Sequence, residues 1–211
     1  DRLGALAARL DLARIDQPKA GDAAASATPP APVDAALQAD VRAAAARADR
    51  EITDGYERQA VIGWAADLLD DAGLHAEAKA LLEANLSRSH SPYYLMSGLA
   101  VMAQRHGDRQ EALRWFRSAW EKSEGPATRL QWGAAYLGAL VDLAPNDAKR
   151  IESTAQSIFA EAAGQANAFD QRSGRSLQRL GAKLQKWNAG GKHQAVVDRL
   201  GAQVQGLCAK L

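Results

Sequence analysis

From Asp34 onward, apolar residues recur three and four positions apart, the spacing of one helix face. Leu37, Val41, Ala44, Ala48 and Ile52 predict a helix over 35–52, and Thr53 or Asp54 is placed to cap a second over 56–71. The buried side of that second helix is expected to hold Ala60, Ile62, Trp64, Ala65, Leu68 and Leu69, with Gly73 closing it before a partner helix over 75–87. Ser91 followed by Pro92 then marks a fresh start: a side-chain acceptor for free amides, then a residue suited to the first helical position. A helix over 92–105 turns at Gly107 into another ending near Ser123, whose inner face is Leu113, Phe116, Ala119 and Trp120.

Gly107 follows Gly73, and Ala112 follows Ala78, by 34 residues in each case. That is the tetratricopeptide period, in which a glycine turn joins two helices and a small residue lets their backbones approach. Units are expected over about 59–92 and 93–126, with a degenerate third over 127–164. The first has Asn85 where the pattern asks for a small residue. In the third, Leu130, Ala134, Leu137 and Val141 supply the first helix, but Asn146 stands where the small residue of the second should be. Its second helix instead follows an Asn146 or Asp147 cap, with Ile151, Ala155, Ile158, Phe159 and Ala162 inward. A terminal hairpin over 169–211 completes the chain, one helix carrying Leu177, Leu180, Leu184 and Trp187, the next Val196, Val197, Leu200, Val204, Leu207 and Leu211. The fold class is therefore all-α: an α-solenoid of helix pairs, with the repeat domain over 34–211.

Ahead of this lies a different text. Residues 1–16 place Leu3, Leu6, Leu10 and Ile15 on one stripe, a short amphipathic helix that either ends a preceding domain or packs back on the main body. Residues 17–33 contain Pro18, Gly21, Pro29, Pro30 and Pro32 among Ala, Ser and Thr, the composition of a linker.

Composition changes this picture little. The 211 residues are 47% hydrophobic and only 6% aromatic, and no run alternates as a strand would. Net charge is +1, but residues 1–91 sum to −5 and residues 92–211 to +6, which gives either two functional faces or two differently solvated regions. No apolar run approaches the roughly 20 residues of a membrane span. The chain starts without Met or a signal peptide and stops inside a helical pattern, so it reads as a piece of something longer.

Chemistry is sparse. His75, His90, His106 and His193 share no ligand spacing, and no metal or cofactor is expected. Nothing resembles a nucleophile elbow or phosphate loop, so no catalytic residue is assigned. Arg172, Arg175, Arg179, Lys183 and Lys186 form a basic stripe able to meet phosphates of nucleic acid or anionic lipid, or simply water; no Tyr or Phe interleaves with them to stack bases, which counts against nucleic acid. The inner curve of such an array is the other surface, and its outward positions are Asp67, Asp70 and Asp71, then Tyr94, Ser97, Val101, Gln104 and Arg105, then Gln131, Ala135 and Gly138. Grooves of this kind bind peptides or other domains. The plainer alternatives are that the acidic run is solvated charge and that Tyr93 or Tyr94 seals a core.

Three local strings carry a resemblance: Ser89-His90-Ser91-Pro92-Tyr93-Tyr94-Leu95-Met96-Ser97, Gly125-Pro126-Ala127-Thr128-Arg129-Leu130-Gln131-Trp132-Gly133, and Leu207-Cys208-Ala209-Lys210-Leu211. The chain from Asp34 resembles the C-terminal helical region of bacterial thioredoxin-family proteins, which carry an N-terminal redox domain with a Cys-x-x-Cys after a secretion signal. With a single cysteine, this chain has no such motif. The resemblance implies a periplasmic, non-catalytic module that positions a protein or peptide for a redox domain elsewhere, residues 1–16 being that domain's last helix. It also implies that Cys208 pairs with a cysteine outside the chain; the alternative is a free thiol in a reducing compartment. Competing readings are a stand-alone cytoplasmic adaptor and an anionic-surface binder working through the basic stripe.

Overall fold

A computed structural model describes the backbone of residues 2–13, 33–164 and 171–208, and the side chains within 3–11, 33–164 and 173–207. Residues 17–32 of the predicted linker, the start of the ninth helix at Phe169, and the last three residues lie outside the described residues. The described chain is all-helical: α1 (Arg2–Ala13), α2 (Ala35–Glu51), α3 (Gly55–Asp71), α4 (His75–Asn85), α5 (Tyr93–Arg105), α6 (Arg109–Lys122), α7 (Pro126–Leu143), α8 (Ala148–Ala163), α9 (Gln171–Trp187) and α10 (Gln194–Cys208), with no strand among the described residues.

Local signals explain the boundaries. Asp54 accepts hydrogen bonds from the amides of Tyr56 and Glu57 and so starts α3; Asp147 does the same for Arg150 in α8. Gly73 and Gly107 have φ of 81° and 78°, a left-handed conformation that a side chain resists, and each lets the next helix begin within two residues. Ser91 departs from expectation. Its side chain makes no cap, and α5 instead begins from Pro92, whose carbonyl accepts from Met96.

The chain forms two compact units, Asp1–Trp115 and Phe116–Leu211, with the division inside α6. In the first, α3 packs against α2, α4, α5 and α1. Ala65, Ala66, Ala78 and Ala100 are completely buried, and these small side chains let the backbones close around Ile62, Leu82, Leu95 and Leu99. Leu6 and Leu10 of α1 are buried as well, so this helix packs onto the body that follows it. In the second unit, α7 packs on α8 and α9, and α10 packs on α8. Gly133 is needed where α7 meets its neighbours: a Cβ there would stand 2.9 Å from Trp120 Nε1 and 3.0 Å from Ile158 Cγ1.

Arg58, the fourth residue of α3, is 1% exposed. Its Nε donates to Asn85 Oδ1 at 2.9 Å and its Nη1 to the Asp49 carbonyl at 2.9 Å, with further bonds to the Ile52 carbonyl and the Asp49 carboxylate. Asn85 also donates to Asp49 at 2.9 Å, so the residue that breaks the small-residue pattern of α4 completes a buried polar clamp. The fourth residue of α7, Arg129, makes a corresponding set: two bonds to Glu161 at 2.7 and 3.0 Å, and the carbonyls of Trp120 and Ser123, both at 3.3 Å. Arg58 and Arg129 are 71 residues apart, as are Asp49 and Trp120, and Ile52 and Ser123.

Candidate functional site

α3 and α5 lie against each other, and each turns one stripe away from the core. Along α3 this stripe holds Trp64, 47% exposed, with Asp67 exposed and Asp71 half-buried; along α5 it holds Tyr94, 46% exposed, and Val101, 38% exposed, with Ser97 half-buried and Gln104 and Arg105 exposed. Trp64 and Ala60 were expected on the buried side of α3, and both are exposed. Tyr93 is half-buried, so of the tyrosine pair it is Tyr94 that faces outward. The described α1 approaches this stripe from one side, Gly4 lying where a Cβ would be 3.8 Å from the Trp64 ring.

Asp70 does not belong to the open stripe. It is 3% exposed, and its Oδ1 lies 2.6 Å from His75 Nδ1 and 2.8 Å from His106 Nε2. Its other oxygen is 3.3 Å from Arg105 Nη1, which also stands 3.7 Å from Asp71. Burial pushes the Asp70 carboxyl up, but the hydrogen bonds and charges of His106 and His75 outweigh this and hold it below the ordinary carboxylate range. Asp67 moves the other way. Loss of water around its carboxyl raises it; Arg105 opposes, and Asp71 and Asp70 add repulsion.

All four histidines have ring partners. His75 and His106 sit 3.8 Å apart beside Asp70, His90 stacks on Tyr56 at 3.8 Å, and His193 stacks on Trp187 at 3.7 Å. The meeting of Asp70, His75 and His106 was not read from the sequence, because their separations match no ligand motif. A signal was present: His75 follows one turn glycine and His106 precedes the next, so stacking the two turns brings them to the same end.

Other expected surfaces are less open. Gln131 and Ala135 on α7 are half-buried, and Gly138 lies under Lys183 of the packed α9, a Cβ there falling 3.6 Å from the ammonium. Within the basic stripe, Arg175, Arg179 and Lys186 are exposed, but Lys183 is half-buried and paired with Asp142, so the stripe is interrupted. The side chains of Arg172 and Cys208 lie outside the described residues. No described helix is long and apolar enough to cross a membrane.

No family model, curated protein or solved structure matches this chain. The functional reading therefore rests on its own surface, where two aromatic side chains and a valine stand in solvent beside acidic groups.

Proposed function

We propose that this is a tetratricopeptide-like helix-pair protein whose exposed α3/α5 stripe binds an extended peptide carrying apolar and basic side chains. The supporting observation is the exposure of Trp64, Tyr94 and Val101 on two packed helices. Apolar side chains of a peptide would cover this surface, and exposed tryptophan and tyrosine are the residue types that concentrate binding energy. Asp67 and Asp71 favour a cationic flank over an acidic one.

Fluorescence anisotropy with labelled peptides of alternating leucine and lysine or arginine tests this. Tyr94→Ala combined with Val101→Asp is expected to weaken binding at least tenfold, about 1.4 kcal/mol, with the helical circular-dichroism signal retained. Asp67→Asn is expected to flatten the salt dependence. Equal affinity of wild type and double variant, or equal binding of acidic counterparts, would overturn the proposal.

The wider setting, an exported thioredoxin-family protein that supplies thiol–disulfide exchange from another domain, is proposed on the three sequence strings alone. Mass-spectrometric mapping of the natural protein decides it: a disulfide at Cys208 and an upstream Cys-x-x-Cys support it, and a free thiol in a chain lacking that motif ends it.

A further inference from the structure

We propose that Asp70, His75 and His106 form a site for one divalent transition-metal ion of the zinc type at the junction of α3, α4 and α5. Each residue offers one donor atom, and the three donors lie within 4.8 Å of one another. They come from three elements: Asp70 from the last turn of α3, His75 from the first residue of α4, and His106 from the residue capping α5. Two imidazoles and one carboxylate, with a fourth position open to water, make a donor set that zinc accepts.

The dimensions suit such an ion. Donors about 2.0–2.2 Å from a tetrahedral ion stand about 3.3 Å from one another. The present 2.6 and 2.8 Å separations from Asp70 Oδ1 must open by about 0.7 and 0.5 Å. The imidazoles have room to do so, His75 being 32% and His106 20% exposed, and the same exposure gives an ion its entry path. Arg105 engages the other oxygen of Asp70, which leaves Oδ1 directed at the histidines and orients the carboxylate as outer partners of metal ligands do.

The helix-pair pattern does not itself require these residues. One period on, Asp70 and His75 are replaced by Gln104 and Arg109, and one period back, His106 is replaced by Ala72. Among the described residues such a cluster occurs at this junction alone, and it holds a carboxylate that is only 3% exposed. An ion there would tie three helices of the first unit together, independently of whether the α3/α5 stripe binds a peptide.

The test uses the full chain, untagged and stripped with EDTA. Isothermal titration with zinc is expected to show one ion per chain at micromolar Kd or tighter, and cobalt(II) to give visible d–d absorption of a four- or five-coordinate site. Zinc at 100 times its Kd is expected to raise the melting temperature by about 5–10 °C. His75→Gln and His106→Gln should each weaken binding at least tenfold, whereas His193→Gln and Cys208→Ser should bind as the wild type does. Absence of saturable binding up to about 100 μM, which leaves less than about 5.5 kcal/mol, overturns the site. So does wild-type affinity in both glutamine variants, or loss of binding on replacing His193 or Cys208. If a glutamine variant loses its helical signal, diethyl pyrocarbonate decides on the wild type. Zinc must then protect His75 and His106 and leave His90 and His193 reactive; identical modification with and without zinc refutes the proposal.

Discussion

Arg58 has all three guanidinium nitrogens engaged inside a junction of α2, α3 and α4, so its charge is held by partners that are themselves committed to it. Burial raises the Asp49 carboxyl, but Asn85, Arg88 and Arg58 together bring it below its ordinary value. Replacing Arg58 with methionine removes the donor to Asn85 Oδ1 and to the Asp49 and Ile52 carbonyls while Arg88 still pairs with Asp49, and urea denaturation should show a loss of about 2–3 kcal/mol. Arg129→Met should cost less, about 1 kcal/mol, because Arg129 is 33% exposed and its Glu161 partner can turn to water. Equal losses would mean that burial does not set the difference. Little of this clamp was legible in the sequence. Arg58 reads there as one surface cation among many, and only the misplaced Asn85 hinted that something polar was being satisfied.

At the level of elements, turn chemistry was legible and helix faces were less so. The glycines that close α3 and α5 adopt the left-handed conformation their spacing implied. Gly73→Ala or Gly107→Ala should each cost about 1–2 kcal/mol in thermal or chemical denaturation, since Cβ opposes positive φ. Gly181→Ala should do the reverse: it lies within α9 with nothing inside 4 Å of a Cβ, and helix propensity favours alanine by up to about 1 kcal/mol. A gain at Gly73 would refute the conformational argument. Trp64 shows why faces were harder. α3 is covered by α1, α2, α4 and α5, so apolar residues occur around much of its circumference, and periodicity cannot single out the one large side chain left in solvent.

Across the whole molecule, the all-helical class followed from the periodic pattern, whereas the division into two compact units at Trp115 left no mark in the sequence, because it falls within a continuous helix. Charge asymmetry gave no indication of where the exposed aromatic stripe lies. The placement of α1 was open between two readings. Leu6 and Leu10 are only 8% and 3% exposed, and Arg9 pairs with Asp40 at 2.6 Å, so α1 contributes to the stability of the first unit. A chain beginning at Val33 should unfold at a lower denaturant midpoint, because it loses two buried leucines, each worth about 1.5–3 kcal/mol of burial. An unchanged denaturation midpoint would show that α1 adds nothing. The arginine clamps, meanwhile, keep a different count from the glycine turns. Moving Arg58 on by 34 residues reaches Pro92, which has no group to offer the preceding helix, whereas moving it by 71 reaches Arg129. Anyone lengthening this chain by copying a segment should therefore duplicate the 71-residue block, since a 34-residue one brings a new turn without its clamp.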